Sequence, residues 1–238
     1  MVAHPPTPPK AEVFYPDADG QPMADNTIQF RWIVTIKENL EILFATDSTV
    51  FVAGDLLWYP VEGNHRLSQA PDVMVVFGRP KRDRGSYQQW QEDNIAPQVV
   101  FEILSPSNTG AEMTRKLLFY QQYGVEEYYI YDPSGNELLG SRRVEQHLIE
   151  IPHIQGWVSP RLGIRFELDD STLQIYTPSG DRFLTPVELA AQRDQERQRA
   201  DQEQQRADQE QQRANQEQQR ADRLAAKLRE MGIDPETV

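Results

Sequence analysis

Apolar positions along this chain fall into three regimes: helical spacing, short saturated runs, and a C-terminal stretch with very few. Over residues 27–45, Ile28, Trp32, Ile36, Leu40 and Leu43 recur at helical spacing and predict a helix. Residues 50–59 are β-rich, with Asp55 inside the run ahead of Leu56, Leu57, Trp58 and Tyr59. After a polar turn over 60–70, residues 71–77 are apolar on both faces, which predicts a central strand. A polar surface connection over 78–96 leads to a second buried strand over 97–104, ended by Ser105-Pro106-Ser107. Thr109-Gly110-Ala111-Glu112 fits a capping box, with Thr109 as N-cap and Glu112 three residues on. The helix it opens runs to about Tyr123, where Gly124 is a natural stop. A strand over 126–131 and shorter ones over 137–144, 146–151 and 173–176 follow, and alternation over 161–166 predicts another, half buried.

The pattern divides the chain in three. Residues 1–25 carry repeated Pro, Asp and Gly and read as an extended lead-in. Residues 26–184 form the globular part. From 185 onward the pattern changes to one long charged helix, with Thr185 as N-cap and Pro186 at its first position. There the heptad Arg-Ala-Asp-Gln-Glu-Gln-Gln repeats at 199–205, 206–212 and 213–219, with Asn215 replacing Asp. Placing Ala200, Ala207 and Ala214 at one core position of a coiled coil puts Glu203, Glu210 and Glu217 at the other, where an apolar residue is wanted. Pairs such as Glu203 with Arg206 instead support a solvated single helix by a few tenths of a kcal/mol each. Only Ala221, Leu224, Leu228 and Met231 offer a weak self-associating tip.

Composition narrows the chemistry. At 238 residues and 38% hydrophobic content the chain can bury one sizeable core. It has no cysteine, which excludes disulfides, thiolate zinc sites and a Cys nucleophile. His4, His65, His147 and His153 lack metal-site spacing. No apolar run spans a bilayer and no secretory leader is visible, so the expectation is a soluble, cytoplasmic protein. The net charge of −13 is awkward for a polyanion ligand. Between Arg193 and Glu230 nine basic and nine acidic residues cancel, so the globular part holds the excess acid. Either nucleic-acid contact is confined to a local basic strip or the ligand is not duplex DNA. Lys81, Arg82 and Arg84 form the dense basic run of the globular part, read as a solvated loop.

Asp72, Glu102 and Lys116 carry the candidate chemistry. Asp72 and Glu102 sit in apolar, β-prone runs, where a charge is costly unless paired. Two carboxylates on neighbouring strands make a hard-oxygen site for a divalent cation, and a nearby lysine can stabilise developing negative charge. Alternation places Glu102 on the face of Val100 and Leu104. A nuclease of Asp…Glu-x-Lys pattern has its lysine at 104, where this chain has Leu; Lys116, on the margin of the following helix between Met113 and Tyr120, is within reach instead.

Pro71-Asp72-Val73, Phe101-Glu102-Ile103-Leu104-Ser105-Pro106-Ser107, Lys116, Tyr120 and the block from Gly124-Val125-Glu126-Glu127-Tyr128 to Asp132-Pro133 together resemble the Uma2 family, also called DUF820. The resemblance runs from about Thr27 to Phe183. It implies an α/β restriction-endonuclease-like fold of the PD-(D/E)xK type, a central mixed β-sheet flanked by helices. It also implies Mg²⁺ (with Mn²⁺ as substitute) at Asp72 and Glu102, catalysis by Asp72, Glu102 and Lys116, and hydrolysis of phosphodiester bonds in nucleic acid, DNA before RNA. The family carries its lysine on the following helix, as Lys116 does. Such folds add an acid from the first helix, for which Glu38 and Glu41 both qualify, and work as homodimers so that two strands are cut. The long C-terminal repeat lies outside the resemblance and motivates the competing reading, a catalytically silent scaffold that binds a protein partner through this helix.

Overall fold

The computed structural model describes residues 13–18, 20 and 23–232, so most of the lead-in and His4 lie outside the described residues. The chain divides into two units, one ending at Pro186 and one beginning at Val187. The first unit opens with α1, Thr27–Leu43, whose Asn26 side chain accepts from the Ile28 and Gln29 N–H groups and satisfies two donors the first turn cannot use. Then come β1 (Val50–Gly54), β2 (Trp58–Tyr59), β3 (Val73–Phe77), β4 (Tyr87–Gln88) and β5 (Val99–Ile103). Helix α2, Gly110–Tyr123, separates β5 from β6 (Glu127–Asp132), and β7 (Glu137–Val144), β8 (His147–Glu150), β9 (Arg165–Leu168) and β10 (Leu173–Tyr176) complete the unit.

Six strands form one sheet in the order β1-β3-β5-β6-β7-β8. It is mixed: β5 and β6 pair in parallel and every other neighbouring pair is antiparallel. The parallel pair requires a crossover, and α2 supplies it. Strand alternation splits the core into two layers. Val99, Phe101 and Ile103 face α1 residues Ile33, Ile36 and Leu40 together with Phe166 and Ile175 of the small β9–β10 sheet. Val100 faces the other way, among Phe119 and Tyr120 of α2, Trp58, Tyr87 and Tyr128. Each side of β5 is buried, which explains its unbroken apolar run apart from Glu102.

The α2 boundaries follow the capping box: the Thr109 side chain accepts from the Glu112 N–H, and Gly124 closes the helix in the left-handed region at φ 100°. Two expectations need correction. The β-rich run over 50–59 is not continuous, because Asp55 takes a φ of 48° and ends β1. The strand expected over 161–166 begins only at Arg165, because Gly163 at φ 69° makes a turn there. At Tyr15 the lead-in touches the globular part, its ring lying 5.2 Å from Tyr59 and 4.8 Å from Trp90.

The second unit contains α3, which runs Pro186–Glu230 with no buried residue. Regular Gln-to-Asp/Asn hydrogen bonds at i, i+4 join Gln204 to Asp208, Gln211 to Asn215 and Gln218 to Asp222. No helix among the described residues is long and apolar enough to cross a membrane.

Candidate active site

Register builds the site. In the β3–β5 ladder Val73 faces Phe101, so continuing one residue brings Asp72 opposite Glu102. Asp72 therefore lies at the start of β3 and Glu102 at the end of β5, where the Asp72 Oδ2 accepts the Ile103 N–H at 2.6 Å. Both residues are buried. From α2, Lys116 places its Nζ 2.8 Å from Glu102 Oε2, and Tyr120, one turn later, donates its hydroxyl to Glu102 Oε1 at 2.5 Å. The three candidate residues are thus adjacent, and both oxygens of Glu102 are engaged from one helix.

The electrostatics are unbalanced. Burial raises the Asp72 carboxyl well above the usual carboxylate range, and the charge of Glu102 adds to it; the Ile103 N–H and Lys116 oppose. Burial also raises Glu102, against the pull of Lys116 and the Tyr120 hydrogen bond. Burial works against the Lys116 ammonium, but Glu102 outweighs it and holds Lys116 above its ordinary value. Two buried carboxylates thus share one ammonium, a shortage of positive charge that a divalent cation would make good.

Glu38 and Glu41 are engaged elsewhere, Glu38 with Lys37 at 3.1 Å and Glu41 with Lys81 at 3.2 Å. Among the described residues no group of three or more His, Asp or Glu side chains is disposed to hold a metal ion. The protein donors at this site are the two carboxylates. That suits Mg²⁺, which keeps several waters and binds through one or two carboxylates plus substrate phosphate.

Sequence reasoning missed two contributors. One is the Tyr120 hydroxyl, whose signal was its place four residues after Lys116. The other is Asp55. Gly54 faces Val73, so Asp55 follows β1 toward Asp72, its N–H reaching the Pro71 and Asp72 carbonyls at 3.1 and 3.3 Å. Its charge contributes to raising Asp72. The basic run also differs from expectation. Arg84 is not solvated: its side chain is 4% exposed, bonded to buried Glu92 and set 3.9 Å over the Phe51 ring. Arg82 and Arg79 bind the same carboxylate.

Residues 20–173 match the family model Uma2, described as "Putative restriction endonuclease". The chain belongs to the Uma2 family. The fold is likewise similar to the crystal structure of "a putative nuclease belonging to DUF820" from Anabaena variabilis ATCC 29413, with 17% identity, a TM-score of 0.43, and coverage of 57% of this chain and 72% of that one. Among curated proteins none matches the chain. The Uma2 match covers every residue of the buried cluster, whereas α3 lies beyond it.

Proposed function

We propose that this Uma2 protein is a metal-dependent endonuclease that hydrolyses phosphodiester bonds in nucleic acid. The observation that carries the reading is the Asp72–Glu102 pair, two buried acids on adjacent strands with a single lysine bonded to Glu102. Asp72 and Glu102 hold Mg²⁺, for which Mn²⁺ substitutes. When bound, the ion supplies Lewis acidity and lowers the pKa of a coordinated water. Lys116 sits at the outer margin of the pair, its side chain 15% exposed, and stabilises the charge that builds on the phosphoryl oxygens as the water attacks. The Ile103 N–H fixes the Asp72 carboxylate through Oδ2 and so would orient it for the ion. Glu38 and Glu41 keep their lysine partners and take no assigned role.

The test is nicking of supercoiled plasmid, with single-stranded DNA and RNA alongside, in Mg²⁺ or Mn²⁺. Wild type should cut, and Asp72→Ala and Glu102→Gln should not; equal activity in all three would sink these roles. Light scattering of the same samples reports whether the active species is the homodimer that two-strand cutting calls for.

A second reading has its own observation: none of the 45 residues of α3 is buried, while the arginines of the basic run are committed to Glu92. In that reading the first unit is a silent scaffold and α3 engages a protein partner. Deleting 187–238 separates the two, since an active truncated protein makes the helix an accessory.

A further inference from the structure

The two partners of Glu102 differ in how firmly they are held. The Tyr120 ring is fully buried, stacked on Trp58 at 6.3 Å with a 2° interplanar angle and set edge-on to Tyr128 at 5.0 Å. Trp58 is itself anchored through its Nε1 to Gln89 at 3.0 Å. Tyr120 therefore has no room to leave Oε1. Lys116 reaches Oε2 on a long flexible stem from the margin of the helix, part exposed. One oxygen of Glu102 has a permanent donor, and the other an exchangeable one.

From this asymmetry, and resting on the metal reading above, we infer that Tyr120 is a positioning residue that fixes Glu102 with Oε2 as its cation-binding oxygen, and that Lys116 occupies this oxygen until a divalent cation displaces it. Lys116 is then a placeholder in the cation-free protein and becomes free to meet the phosphate once the cation arrives. A partner that orients a metal-binding carboxylate changes metal affinity by about 10–100-fold when removed. The adjacent Tyr128 supplies an internal control. Its hydroxyl is equally buried, close enough for Glu102 and Asp72 to act on it, yet has no hydrogen-bond partner. Removing it tests ring packing without touching the Glu102 bond.

The experiment is Mn²⁺ titration of the full chain by electron paramagnetic resonance, comparing wild type, Tyr120→Phe, Tyr128→Phe and Lys116→Met, with circular dichroism to verify folding. Tyr120→Phe should weaken Mn²⁺ binding at least tenfold, Tyr128→Phe should leave it unchanged, and Lys116→Met should tighten it. In parallel, the Lys116 signal of ¹³C-lysine-labelled wild type, assigned with Lys116→Arg, should move as Mg²⁺ is added. Equal affinity of Tyr120→Phe and wild type would overturn the positioning role. A Lys116 signal indifferent to Mg²⁺, or weaker Mn²⁺ binding by Lys116→Met, would overturn the displacement. The Lys116 measurements need no tyrosine variant, so the displacement stays testable if Tyr120→Phe does not fold. A wild type that binds no Mn²⁺ would instead overturn the metal reading itself.

Discussion

Two buried acidic centres in the same unit are neutralised in opposite ways. Glu92, its side chain 4% exposed, is met by Arg79 at 2.9 Å, Arg82 at 2.6 Å and Arg84 at 2.8 Å. Hydrogen bonds from Arg84 and Arg82 outweigh the cost of burial and pull its carboxyl down to about 2. Asp72 and Glu102 share one lysine, and both are shifted up. On the function proposed above, the contrast separates a carboxylate that holds structure together from carboxylates kept for a ligand. At Glu92 three arginines of the connection between β3 and β5 converge on one charge. At Asp72 and Glu102 burial makes the charged forms costly and one lysine only partly compensates, a pattern that clusters at functional sites.

Four perturbations sharpen the contrast, in falling order of effect. Glu102→Gln should reduce metal-dependent cleavage by about 10³-fold or more, read in the plasmid assay, because the loss of a metal-ligating charge removes transition-state stabilisation worth several kcal/mol. Glu92→Gln should leave the chemistry in place but cost about 3–5 kcal/mol in denaturant unfolding, since it strands three guanidiniums around a neutral group. The sign of its pH dependence follows: a lowered folded pKa gives stability that is present above the ordinary value of 4.5 and is lost as pH falls toward about 2. The acid limb of the stability curve should therefore flatten in Glu92→Gln.

Asp72→Asn should do the reverse and stabilise the cation-free protein by about 1–2 kcal/mol, with Asn still able to accept from Ile103. Here the folded pKa is raised, so the contribution of Asp72 is most favourable below its ordinary value of 3.8 and is lost as pH rises through the folded value. The gain should be largest at neutral pH and shrink in acid, and Mg²⁺ should stabilise the wild type but not the variant. Smallest is Thr109→Ala, which removes the side chain that accepts from the Glu112 N–H. It should cost about 1 kcal/mol in unfolding, loosening the helix that carries Lys116 and Tyr120.

Much of this was legible in the sequence for a local reason. The β3 and β5 runs, the α2 capping box and Gly124 are written in short-range patterns that tertiary structure had no cause to override. The pairing of Asp72 with Glu102 was readable only as an expectation, because register depends on contacts between distant strands. Glu92 was hidden in a polar stretch whose composition resembles a surface loop; its burial comes from arginines at 79, 82 and 84 folding back on it, which no periodicity records. Asp55 was lost for a related reason: the apolar residues on either side suggest one strand, and the positive φ that ends it has no signal beyond the preceding Gly54. Ser105 and Ser107 read as a strand terminator, yet their hydroxyls also bind Asp25, tying the start of α1 to the end of β5.

The central claim is that the charge left unmet at Asp72 and Glu102 is there for a divalent cation. Mn²⁺ titration of the full chain, wild type against Asp72→Asn, tests it directly. The account predicts saturable binding by the wild type that disappears in a variant at least as stable to unfolding. Undiminished Mn²⁺ binding by Asp72→Asn would contradict it.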